Sequence, residues 1–190
     1  MSERILSFDL SFTCTGWSVI EKSKILAMGN FPLGGSCKGE KLNCLYKKAA
    51  QLIMDWEPEI LACEDVFPSK YTMGSYKPLV KLQSILEMLA FRLNRSEPQL
   101  FLASEVRPTF DLNPQKMKKD FVAYSKKMGY SNTDSKNKSK KRYDDFKKNQ
   151  IVAKVNSIFK KDYPNGLLTN DQHDIADSIL LGLHVESLIF

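Results

Sequence analysis

Four carboxylates in this chain stand where carboxylates are costly. Asp9 closes the apolar run of "RILSFDL", Glu64 closes that of "EILACEDVF", and Asp174 and Asp177 lie three apart in "HDIADSILLGLH". A charged group at the end of a buried segment is unfavourable unless something partners it. Two of the four have ordinary explanations. Asp opens turns, which suits Asp9, and it favours a helix N-terminus, which suits Asp174. Asp177 is deeper in its helix, flanked by apolar neighbours, and neither explanation covers it. One chemistry covers all four. Carboxylates gathered in one place repel each other and need divalent cations, and hard oxygen ligands without clustered Cys or His select Mg²⁺ or Mn²⁺. Two such ions about 3.5–4 Å apart activate a water and stabilise the leaving oxygen of a phosphodiester. His173 directly precedes the Asp pair. It reads either as a surface group supporting the site or as a ligand or proton shuttle.

The other reactive residues point elsewhere. Cys14, Cys37, Cys44 and Cys63 form no CxxC pair, and His173 and His184 lie far from them in sequence. A zinc site or a disulfide framework is therefore not expected. No signal peptide and no apolar run of membrane-spanning length are visible, so the sequence reads as cytoplasmic, with no membrane role.

The carboxylates need elements that bring them together. Residues 4–9, 16–21 and 24–31 read as strands, with "EKSK" as a hairpin turn. Apolar spacing from Leu42 to Trp56 and from Leu79 to Leu93 predicts two amphipathic helices. Between them, Ile60 to Cys63 is a short continuous apolar run, the mark of a strand buried on both faces, while "PSKYTMGSYKP" reads as a loop. "PQLFLAS" is a fifth strand closed by "EVRP". Helical spacing returns from 144 to 159, and Thr169 with Gln172 resembles a capping box that would start the last helix at about Thr169. The order predicts an α/β domain over residues 1–190 with a five-stranded mixed sheet flanked by helices.

Charge is unevenly spread. The net charge is +6, yet residues 116–161 hold fifteen Lys or Arg against four Asp or Glu. An acidic body with one basic segment implies a polyanionic partner met on one side. A solvated lysine-rich loop is the plainer reading. Within that segment residues 115–128 suit a helix, whereas "GYSNTDSKNKSKKRYDD" is poor in hydrophobics and reads as mobile until its charge is neutralised. Carboxylates for metal and a basic surface for a polyanion together describe a nuclease.

These motifs resemble those of the RuvC-type Holliday-junction resolvases of the ribonuclease-H-like superfamily, most of all its divergent phage-borne members. "FDLSFTCTGWSVI" resembles their first motif, "ACEDVF" the second and "HDIADSILLGLH" the last. The likeness spans nearly the whole chain except a basic insertion at about 113–143. It implies the ribonuclease-H-like fold, with Asp9, Glu64, Asp174 and Asp177 as the catalytic, metal-binding set for two Mg²⁺ or Mn²⁺ ions. It implies Phe67 as an aromatic stacking near the junction centre, and Arg107 with Lys148 or Lys147 as phosphate contacts. Lys70, Lys116, Lys118, Lys119, Lys140, Lys141 and Arg142 extend the expected DNA-binding set. The implied protein is a homodimer acting on four-way junctions, forks and flaps, with the 79–93 helix near the dimer contact. That leucine stripe also reads as plain core. A junction binder with little cleavage, or an enzyme acting on RNA or RNA–DNA hybrid, stands as the alternative. One departure is local: Leu10 and Ser11 follow Asp9 where the family has Pro and Gly.

Overall fold

A computed structural model describes residues 3–66, 73–93, 95–130, 136–159 and 167–189. Five strands, β1 (Ile5–Asp9), β2 (Cys14–Glu21), β3 (Lys24–Pro32), β4 (Ile60–Glu64) and β5 (Gln99–Phe101), form one mixed sheet in the order β3-β2-β1-β4-β5. β1 and β2, and β2 and β3, pair antiparallel, while β1 with β4 and β4 with β5 run parallel. The helices among the described residues are α1 (Lys38–Trp56), α2 (Met73–Arg92), α3 (Ala103–Thr109), α4 (Pro114–Lys127), α5 (Lys136–Phe159) and α6 (His173–Ile189).

Strand alternation sorts the core into two layers. Ile5, Ile20, Ile60 and Ala62 face α6 and pack on Ile175, Ile179 and Leu180. Leu6, Phe8, Val19, Leu61 and Cys63 face the other way, onto Leu45, Ala49 and Ile53 of α1 and Leu82, Leu86 and Leu89 of α2. Both faces are covered, so the central strands read as nearly continuous apolar runs.

α6 lies unusually close to the sheet, and small residues permit it. A Cβ on Gly182 would sit 2.8 Å from Ile20 and 2.9 Å from the Ser7 hydroxyl. Ser7, fully buried, donates to the Ser178 carbonyl at 2.7 Å and pairs with the Ser18 hydroxyl at 2.8 Å. At the far end the buried Glu186 accepts from the Ser23 amide and hydroxyl, both at 2.7 Å, clasping the β2–β3 hairpin.

Several boundaries differ from the sequence reading. α2 begins at Met73 rather than Leu79 and holds Pro78 in its second turn, where the missing N–H forfeits a ladder bond. β5 stops at Phe101 because the chain turns into α3; Glu105 accepts from the Leu102 amide at 2.7 Å and caps that helix. The capping contact from the Thr169 amide to Gln172 forms at 2.9 Å, but it closes a separate turn, and α6 starts at His173.

The largest correction concerns the basic insertion. The helix expected over 115–128 is α4, at 114–127, but α5 starts at Lys136 inside the stretch read as mobile, so the described part of the segment is mostly helical. α5 has two apolar stripes on nearly opposite sides. Tyr143 and Phe146 meet Phe121 and Tyr124 of α4, with ring centroids 5.2–5.4 Å apart. Farther along, Ile151, Val152, Val155 and Phe159 join the core that packs on α6. α5 therefore leaves the body as one continuous helix and carries α4 as an arm whose Met117 still reaches the same core.

Candidate active site

The sheet register places the first two carboxylates. Phe8 pairs with Cys63 in the parallel β1–β4 ladder, so Asp9 and Glu64 come level at the same end of adjacent strands. Both belong to the alternation that faces α6. The third comes from α6 itself. Asp9 pairs with Gly16 across the β1–β2 ladder, and a Cβ on Gly16 would lie 2.1 Å from the Asp174 carbonyl oxygen. Only glycine admits the first turn of α6 there, and that contact aligns the Asp-x-x-Asp turn with the end of β1.

Asp9, Glu64 and Asp177 line one pocket with Arg107, Phe8, Phe101, Val106 and Leu181. Burial raises the Asp9 carboxyl well above the ordinary carboxylate range, and the charges of Asp177, Glu64 and Asp174 raise it further; Arg107 partly offsets them. Glu64 is pushed up to about 7, first by burial and then by Asp177. Burial also raises Asp177, against the opposing pull of Arg107. Asp174 is not part of the pocket lining; it acts on Asp9 through its charge and pairs with His173 at 2.9 Å. His173 thus contacts a member of the carboxylate group directly.

Arg107 is the cation brought to this group. Its Nη2 lies 3.4 Å from Asp177 Oδ1, and its buried Nε has no hydrogen-bond partner among the described residues. α3 holds it there: Thr109 hydrogen-bonds His184 Nδ1 at 2.9 Å, and Phe101 packs edge-on against the same imidazole at 5.2 Å. Burial lowers the His184 pKa, keeping this anchor neutral.

The other expected DNA contacts fall into three groups. Phe67 and Lys70 lie outside the described residues. Lys116, Lys118, Lys119, Lys140, Lys141 and Lys148 are exposed. Arg142 lies 3.9 Å over the Tyr130 ring, and Lys147 pairs with Asp144 at 2.8 Å and sits 4.9 Å over Tyr143.

Two supports were missed in the sequence. Gln83 is buried within the leucine face of α2 and donates to the Glu64 carbonyl at 3.0 Å and, more weakly, to Asp65 at 3.4 Å. A polar residue on a leucine stripe was the available signal. The turn after Asp9 is held by hydroxyls. Ser11 and Thr13 pair at 2.9 Å, the Ser11 amide donates to Thr15, and the Thr15 hydroxyl donates back to the Ser11 carbonyl. These bonds stabilise the turn where the resembled family uses Pro and Gly.

The donor chemistry fits a hard divalent cation: oxygen only, with like charges that disfavour one another when bare. Among the described residues no group of three His, Cys, Asp or Glu side chains is already arranged as a metal cage. Three of the four carboxylates share a pocket, with the guanidinium of Arg107 against one of them.

No family model and no curated protein matches the sequence. Among solved structures, the chain resembles Thermus thermophilus RuvC in complex with a Holliday junction substrate, with a TM-score of 0.63 and 12% identity over 95% of this chain and 91% of that one. It also resembles the T. thermophilus RuvC structure, with a TM-score of 0.57 and 12% identity over 95% and 92%. The architecture is thus an α/β fold with a five-stranded mixed sheet. Within that class the chain shares the fold of RuvC.

Proposed function

We propose that this protein is a divalent-metal-dependent endonuclease that hydrolyses phosphodiesters in four-way junctions and other branched DNA. The convergence of Asp9, Glu64 and Asp177 on one pocket of a RuvC-type fold carries this reading. Asp9, Glu64 and Asp177, with Asp174 at the pocket's edge, would hold Mg²⁺ or Mn²⁺. The metal would supply an activated water and neutralise charge on the leaving oxygen. Arg107 would hold a phosphate oxygen beside the carboxylates, and Phe67 and Lys70 keep their proposed roles against bases and phosphate. The protein would act as a homodimer through α2, whose Phe91 is 84% exposed and whose Met88 is also uncovered.

The test incubates wild type and Asp9→Asn with labelled four-way junctions, forks, flaps and RNA–DNA hybrids in Mg²⁺ or Mn²⁺. Metal-dependent cleavage of branched DNA by the wild type alone supports the proposal. Tight binding without cleavage by both proteins would make this a junction binder, and preferential cleavage of the hybrid would make it a ribonuclease.

A further inference from the structure

We propose that the outer face of α4 is a binding surface for duplex DNA that grips phosphates and reads no bases. This rests on the reading of the protein as a branched-DNA nuclease and says how a helical arm of the substrate is held away from the carboxylate pocket. Met117 is the buried side chain of α4, and the side of the helix turned away from it is exposed. Lys119 and Lys126 lie opposite Met117 and Lys116 and Lys127 flank them roughly a quarter-turn away, so the four at i, i+3, i+10 and i+11 make a broad basic face that runs about 16 Å along the helix. Among the described residues none of the four is held by a carboxylate. Ala123 lies between them and Asp120 at the edge.

The neighbouring cations are engaged differently. Arg142 is stacked on Tyr130 just beyond α4, and Lys147 is bound by Asp144 and lies over Tyr143 within α5. The rings are engaged too. Phe121, Tyr124, Tyr143 and Phe146 pack on one another and form the joint between α4 and α5. Single-strand binders need aromatic faces on which bases stack. Here the rings are turned to one another across the joint, and the outer face offers charge with Val122 but no aromatic ring. Charge without stacking suits the regularly spaced phosphates of a duplex. A bilayer is disfavoured because the centre of the face carries alanine, and Val122 at its edge is a single exposed apolar side chain with no large aromatic beside it to insert.

The test compares wild type with the full-length variant Lys116→Ala/Lys119→Ala/Lys126→Ala/Lys127→Ala. Alanine favours helix, so α4 should persist, and circular dichroism verifies it. Affinity for a plain duplex, a four-way junction and single-stranded oligo-dT is measured without divalent metal across a salt series. Each lysine on a phosphate contributes about 0.9 to the slope of log Kd against log salt on B-DNA. The variant should therefore lose about 3 to 4 units of slope on duplex and junction, bind both at least about tenfold more weakly, and lose clearly less on oligo-dT, whose backbone is not held in the duplex spacing. Lys47→Ala/Lys48→Ala on α1 should leave the slope unchanged. An unchanged duplex slope in the four-lysine variant, an equal loss on oligo-dT, or tighter binding to anionic vesicles than to duplex would overturn the proposal. Because binding is read without cleavage, a failed cleavage assay leaves this result interpretable, and the converse holds.

Discussion

The carboxylate corner and the α4–α5 arm are built on opposite plans. At the corner, charge of one sign is drawn into a half-buried pocket from β1, β4 and α6, residues distant in sequence that register and close packing bring level. On the arm, charge of the other sign lies exposed along a single helix, set by local periodicity and an aromatic joint. The corner is electrostatically unfavourable by itself, and the arm's cations are well solvated. One region depends on long-range placement and responds sharply to single changes. The other is additive and responds in small steps.

The sharpest contrast is expected from Glu64→Gln. It removes a charge from the corner without changing its shape, so cleavage should fall about a thousandfold, the scale of ~4 kcal/mol in the barrier. The same variant should be more heat-stable than wild type above neutral pH in the absence of metal. A variant that kept its activity, or that melted earlier, would break the contrast.

Gly16→Ala probes the placement itself. A methyl 2.1 Å from the Asp174 carbonyl oxygen forces the start of α6 away from β2. Overpacking of this kind costs about 1–3 kcal/mol, and a displacement of about 1 Å at the carboxylates costs about a hundredfold in rate. Thermal melting and single-turnover cleavage measure the two effects. Duplex binding by the arm should be unaltered.

The pH dependence of stability should separate the regions again. The Glu64 pKa in the folded protein, about 7, lies above its ordinary value of 4.5. The folded state therefore holds that proton more tightly, and the associated stability is complete below about 4.5 and lost as pH rises through about 7. Asp9, raised for the same main reason, adds in the same direction. Metal-free protein should thus melt at lower temperature as pH rises across this interval, and Mg²⁺ should restore more stability at its upper end, since binding must displace those protons. Glu64→Gln should flatten the curve.

Smaller still is the expected effect of Gln83→Met, which keeps the bulk of the side chain on α2 but removes the donor to the Glu64 carbonyl. The stability loss should be about 1–2 kcal/mol. Cleavage should fall about tenfold, with duplex affinity unchanged in the binding assay.

The corner was the more legible of the two regions. Asp9 and Glu64 sit at the ends of short apolar runs, and alternation along a strand leaves little choice about which way such residues face. Arg107 was tied to phosphate only by resemblance, because α3 was hidden inside a stretch read as strand and turn. Gln83 was obscured by the leucines around it. α4 was legible within a residue at each end, but the first half of α5 was misread for a definite reason. A helix whose apolar residues change sides halfway lacks a single stripe, so the basic first half of α5 carried no helical pattern of its own. Its partners, Phe121 and Tyr124, lie on a different helix that no local window includes.

The change of sides in α5 also divides the molecule in time. Amides of its second half share the protection of the core beneath α6, while those of its first half are guarded only by an aromatic joint to α4. Opening that joint uncovers Phe146 and, with α4, Met117 at the edge of the core, but leaves the strands packed on the rest of α6, so the arm can unravel and re-form as a unit of lower stability than the catalytic body. Hydrogen exchange along this one helix would then run at two rates, with the break between Phe146 and Ile151.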